Sequence, residues 1–113
     1  MDKVEFLILR NLLYNEEYVR KVIPFIKADY FEDYNQKVVF EEILKFVEEY
    51  NQPATKEVLC IETEKRQDIN DTSFKEVTQL ISSLEEEHTE FNWLVDTTEK
   101  WCRDRAIYLA LME

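Results

Sequence analysis

The amino-acid sequence predicts an all-α fold, a compact bundle of about five or six helices, and three observations lead there. The 113 residues include no glycine, although average usage of roughly 7% would supply about eight. Tight type I′ and II′ hairpin turns lean on glycine's access to positive φ, so β-rich folds are disfavoured. Apolar residues recur at three- and four-residue steps along most of the chain. Hydrophobic residues make up 45% and charged residues 35%, with seven Phe, six Tyr and two Trp, which suits a chain that buries one core.

The elements follow in order. Residues 2–14 place Val4, Leu7, Ile8, Leu12 and Leu13 at helical spacing, with Phe6 and Leu9 widening the apolar face. Asn15 tolerates the left-handed region and offers a stop, after which "EEYVRKVI" forms a short helix ending before Pro24. "PFIKADYFED" is an apolar connector anchored by Tyr30 and Phe31. From about Asn35 to Tyr50, the residues Val39, Phe40, Ile43, Leu44, Phe46 and Val47 mark an amphipathic helix. Glu41–Lys45 and Lys45–Glu49 pairs are expected on its outer side. Asn51, Gln52 and Pro53 close it, and Thr55 caps "KEVLCIETEKR", read as the least amphipathic helix. "QDINDTS" is a loop ending in a capping box, Ser73 with Glu76, that opens "FKEVTQLISSLEEE" with Phe74, Val77, Leu80, Ile81 and Leu84 inward. No internal repeat or low-complexity tract interrupts the series.

Composition also narrows function. Without glycine, the phosphate-cradling G-x-x-x-x-G-K-[ST] and G-x-G-x-x-G loops cannot be built. The formal charge is −11, from 25 acidic against 14 basic residues, and such a field repels phosphate backbones and anionic membranes. Direct nucleic-acid binding is therefore not expected, and protein partners are. No apolar run reaches the ~18 residues of a membrane span, and "MDKVEFLILRNLL" has acids among its apolar residues, unlike a signal peptide. A cytoplasmic location is expected, in the host cell if the source is a phage. Cys60 and Cys102 form no C-x-x-C pair and read as buried free thiols. Glu85, Glu86, Glu87, His88 and Glu90 read as a polar helix end and turn rather than a metal site. No catalytic triad or H-E-x-x-H pattern is present.

From Thr89 the chain reads as one helix with no stop signal before Glu113, as though cut in mid-helix. Phe91, Leu94, Val95, Thr98, Trp101, Cys102, Ala106 and Leu109 form its main stripe, while Trp93, Ile107, Tyr108 and Leu111 lie outside it. Apolar residues beyond one stripe mean either a central core helix or contact with a second body. Lys100, Arg103 and Arg105 suit the macrodipole of a last turn, pairs with Asp96, Glu99 and Asp104, or an acidic partner. The candidate partner-interface residues are Trp101, Arg103, Arg105, Tyr108 and Leu109, with Trp101, Tyr108 and Leu109 expected to be exposed.

In order, "DYF" at 29–31, "VFEEI" at 39–43, "EYNQPAT" at 49–55 and above all "WLVDTTEKWCRDRA" at 93–106 carry a resemblance. The chain resembles the N-terminal domain of the DnaB-like replicative DNA helicases, nearest the version in T-even-type bacteriophages. Trp93, Leu94, Thr98, Glu99, Arg105 and Ala106 are its most specific matches. The resemblance implies that residues 1–90 form a helical collar body and that residues 91–113 begin a helical hairpin, truncated here, that pairs with another subunit. It further implies dimers building a hexameric collar, contacts with primase and a helicase loader, and a RecA-type ATPase domain elsewhere. ATP and Mg²⁺ belong to that parent, an ATP-dependent helicase; the 113 residues themselves are expected to bind no cofactor or metal and to catalyse nothing. Monomers or weak dimers are expected of them. A rival reading is a free-standing acidic phage protein, a DNA mimic or adaptor that inhibits a host enzyme, although the acids are interleaved with bases rather than set in single-sign rows.

Overall fold

The computed structural model describes residues 3–113. Six α-helices occur in it: α1 (Lys3–Tyr14), α2 (Glu16–Val22), α3 (Tyr34–Tyr50), α4 (Lys56–Glu64), α5 (Asp71–Ser83) and α6 (Phe91–Met112). Two 3₁₀ turns, Ile23–Phe25 and Ala28–Tyr30, join α2 to α3. No strand is present among the described residues, so the fold is all-α as expected. The expected start of the first helix at Asp2 lies outside them.

Caps explain where helices begin and end. Asn15 is extended rather than left-handed, and its side chain accepts from Tyr18 N at 3.0 Å, so it starts α2 instead of merely stopping α1. Asp33 does the same for α3 through Gln36 N, and Thr55 for α4 through Val58 N, as expected. Asn51 closes α3 at φ 55° and ψ 35°, the left-handed region that Asn tolerates better than most residues. The Ser73–Glu76 capping box does not form. Asn70 caps α5 by accepting from Ser73 N at 2.8 Å, so the helix begins three residues earlier, and Glu76 accepts from Asn35 Nδ2 instead. An Asn can satisfy the same orphan N–H as a Ser, and here it lies nearer the preceding turn.

The core lies around α3, which packs against α1, α4 and α5, while α6 crosses α1, α2 and the second 3₁₀ turn. Ile8, Leu9, Leu12, Val39, Phe40, Ile43, Leu59, Val77, Ile81 and Leu94 are wholly buried. Phe40, Ile43 and their neighbours each contribute on the order of 1.5 to 3 kcal/mol by leaving water. Phe31 from the connector meets Phe40 at a ring-centroid distance of 5.3 Å and Trp101 at 4.9 Å, closing an aromatic cluster between α3 and α6. The Cα radius of gyration, 13.6 Å, is near the roughly 13 Å expected for this length.

In place of the expected Glu41–Lys45 and Lys45–Glu49 pairs stand one local i,i+3 pair and a set of pairs made by Arg66. Lys45 reaches Glu42 at 3.3 Å, and Arg66 bonds Glu42 at 2.7 Å, Glu41 at 3.1 Å and Asp68 at 2.8 Å, tying the end of α4 to α3. The Arg fork with its several donors serves three carboxylates that one Lys could not. Nor is α4 the helix with the least segregated faces; α6 is.

Candidate functional site

The first half of α6 belongs to the core. Glu90 caps it, accepting from Trp93 N at 2.6 Å, and Leu94, Val95, Thr98, Trp101 and Cys102 face inward. Thr98 Oγ1 donates to Leu94 O at 2.8 Å, so the 2.6 Å contact with Tyr18 uses the phenol as donor. Burial pushes the Tyr18 phenol above its ordinary pKa, and the bond to Thr98 works the other way. Cys102 is buried and free, its thiol pushed up to about 11 by burial and then by the charge of Glu99. Cys60 is free and only half-buried, which corrects the expectation of two buried thiols.

Beyond Cys102 most of the helix surface is exposed, and Arg105 and Leu109 alone are half-buried there. Arg103 is exposed, and Arg105 is not free for a partner's acids: its Nε donates to Tyr30 O at 2.6 Å and its Nη1 to Glu32 at 3.3 Å. Lys100, not Arg105, pairs with Asp104, at 3.1 Å. The Arg105 guanidinium also lies 4.9 Å from the ring centroid of Tyr108, a cation–π contact that holds the exposed phenol against the helix. Leu109 is half-buried over a groove of about 580 Å³ that Lys27, Lys37, Ala106 and Met112 help to line.

Trp101 is the correction among the candidates. Expected at the surface, it is 9% exposed, with Tyr30 edge-on at 5.9 Å and Phe31 at 4.9 Å. A large ring at a point where the connector passes over α6 is covered by that connector, which helical periodicity does not reveal. In its place, Ile107 at 55% and Leu111 at 79% exposure stand one turn apart on the side turned from Thr98 and Cys102, with Met112 also exposed. Ile107 and Leu111 fell outside the main stripe, and that position was the available signal; Met112 had none.

No group of three or more His, Cys, Asp or Glu residues among the described residues is placed to hold a metal ion. Glu85, Glu86, Glu87 and His88 are exposed in the segment between α5 and α6, where Arg10 reaches Glu87 at 3.6 Å and Tyr14 donates to Leu84 O at 2.8 Å. No helix among the described residues is long and apolar enough to cross a membrane. What remains as a candidate site is a surface, the exposed apolar side of the distal half of α6.

The DnaB-like replicative helicase of Enterobacteria phage T4 is 32% identical to the chain over 104 residues, 92% of the chain. The chain is a homologue of part of that helicase. It spans 22% of the T4 helicase's length. No family model matches the chain, and no solved structure does. The kinship with phage DnaB-like helicases read from residues 93–106 therefore stands. Of the residues that carried it, Leu94 and Thr98 are core and Arg105 ties α6 to the connector, whereas Trp93, Glu99 and Ala106 are exposed.

Proposed function

We propose that this domain is the N-terminal collar and assembly domain of a phage replicative DNA helicase, joining subunits and receiving primase or a helicase loader. Homology to part of the T4 helicase supports the setting, and the exposed apolar side of distal α6 is the observation that carries the mechanism. Apolar residues beyond a helix's core-facing stripe gain free energy only when a second surface covers them. In this reading residues 1–90 form the collar body, and residues 91–113 supply the first arm of a helical hairpin whose outer side, Ile107, Tyr108 and Leu111, meets another subunit. Arg103 stands at the edge of that contact, while Trp101, Arg105 and Leu109 support it from inside. ATP and Mg²⁺ chemistry belongs to a RecA-type domain and not to these glycine-free residues, which neither hydrolyse ATP nor bind DNA on their own.

The DNA-mimic alternative needs unbroken rows of acid, and this surface breaks them: Arg66, Lys56, Arg10, Arg20 and Lys100 each sit against carboxylates. Sedimentation velocity over a concentration series tests the assembly reading. A monomer–dimer equilibrium that the double variant Ile107→Glu, Leu111→Glu shifts to monomer is expected, together with co-sedimentation with purified phage primase or loader. A sharp, concentration-independent hexamer would overturn the account of a weak contact through α6. Displacement of the chain from a host enzyme by duplex DNA would instead favour the mimic.

A further inference from the structure

We propose that α6 pairs antiparallel with the α6 of a second copy of this chain, about a two-fold axis at the level of Cys102. This rests on the reading of the outer side of α6 as a subunit contact, and it fixes the occupant, direction and register of that contact. Trp93, Lys100, Asp104, Ile107 and Leu111 are all exposed and lie on the side of α6 turned from Thr98 and Cys102. Trp93 and Leu111 stand 18 residues apart, about five turns at 3.6 residues each, so they share one line along the helix. Lys100 and Asp104 flank that line, about 20° to either side of it.

This face is complementary to itself when reversed. Trp93 and Leu111 each lie nine residues from Cys102, and Lys100 and Asp104 each lie two, on opposite sides of it. Laid antiparallel on its copy, the helix therefore sets Trp93 against the partner's Leu111 at both ends, and Lys100 against the partner's Asp104 twice in the middle. An isologous contact requires such a match. Trp93 is 54% exposed and Leu111 79%, so each end takes apolar surface out of water. Lys100 bonds Asp104 of its own helix at 3.1 Å, and both side chains stay exposed enough to be shared with a second copy. Ile107 falls opposite the partner's Thr97, and Arg103 stands at the edge.

Parallel pairing fails on charge. It sets Lys100 on the partner's Lys100 and Asp104 on the partner's Asp104, and facing like charges disfavour a contact. An antiparallel contact centred on the apolar end, between Ile107 and Leu111, leaves Trp93 in water and overlaps the two helices over a few turns only. Exposed ion pairs add little affinity. Here they select direction and register, while the apolar ends supply the attraction.

Spin labels at the last residue read direction and register together. In the double variant Cys60→Ser, Glu113→Cys, the buried Cys102 stays unlabelled, and the antiparallel pair holds the two labels about 33 Å apart along the helix at 1.5 Å per residue. Double electron–electron resonance on the dimer is expected to show a separation of that order, whereas a parallel pair, or one centred on the apolar end, brings the labels within about 20 Å. Sedimentation of charge variants tests the ion pairs. Lys100→Asp and Asp104→Lys each weaken self-association about tenfold, since two like-charge contacts replace two ion pairs, even though Asp104→Lys lowers the net charge. An equimolar mixture of the two variants restores it, because each copy then meets the opposite charge, a rescue that a bond inside one helix cannot give. Both positions are exposed, so the fold survives either change. A dimer with its labels within about 20 Å, or a mixture no tighter than its components, would overturn the antiparallel register and leave the subunit-contact reading standing. A chain that stays monomeric at every concentration, whatever other protein binds α6, would overturn both.

Discussion

At the scale of the residue, Trp101 and Arg66 do the most to join distant parts of the chain. Trp101 closes the aromatic cluster with Phe31 and Tyr30, so Trp101→Ala should cost roughly 3 to 5 kcal/mol, the lost burial plus the cavity left behind. Urea unfolding checks it, and a change below about 1 kcal/mol would show that the cluster collapses around the gap. Arg66 holds the Asp68 carboxyl below its ordinary value of 3.8, chiefly through their hydrogen bond. A carboxyl depressed in the folded state stabilises fully above its ordinary value, and that share is lost as pH falls through the depressed one. Asp68→Asn should therefore flatten the acid limb of the stability–pH curve below pH 3.8 and lower neutral stability by the same amount, a small one because the pair is exposed and screened. Matching acid limbs for both proteins would refute that role. Neither residue was legible as a hub in the sequence. Trp101 lies on the stripe, where periodicity does not tell a core ring from a surface anchor, and the pairs of Arg66 span 24 and 25 residues to α3, beyond the reach of any local spacing rule.

At the scale of the element, capping decides more than helix propensity. Asn51 is the one described residue with positive φ, and its side chain also accepts from Arg20 at 3.2 Å. Asn51→Ala should destabilise by about 1 to 2 kcal/mol, with Asn51→Gly well below that, since glycine enters the left-handed region without a Cβ penalty. Thermal melts of the two variants separate backbone strain from the lost side-chain bond: equal losses would assign the effect to the contact with Arg20. Helix existence was legible throughout from three- and four-residue periodicity. Boundaries were not always, because Asn15 and Asn70 act through short side-chain bonds that an Asn can make as readily at a stop as at a start.

At the scale of the whole molecule, two features oppose each other: a net charge of −11 and an apolar strip on distal α6. Copies that meet through that strip do so against mutual repulsion, which salt screens beyond about 10 Å at 0.1 M. Self-association of the 113-residue chain should therefore strengthen as NaCl rises, by equilibrium sedimentation. Weakening with salt would instead mean that ion pairs rather than apolar contact hold the copies together.

The sequence by itself determined the all-α class, the order of the helices, the inward faces of α1, α3 and α5, and the kinship with a phage replicative helicase. These rest on local periodicity, on the missing glycines and on short motifs, all of which survive in one dimension. Only the tertiary structure decided that Trp101 is core while Ile107 and Leu111 are surface, and that Arg105 is held by Tyr30 and Glu32. Each of these depends on which segment passes over which. A connector lying across α6 buries one ring and leaves the next turn bare, and periodicity along a single helix carries no record of what lies above it.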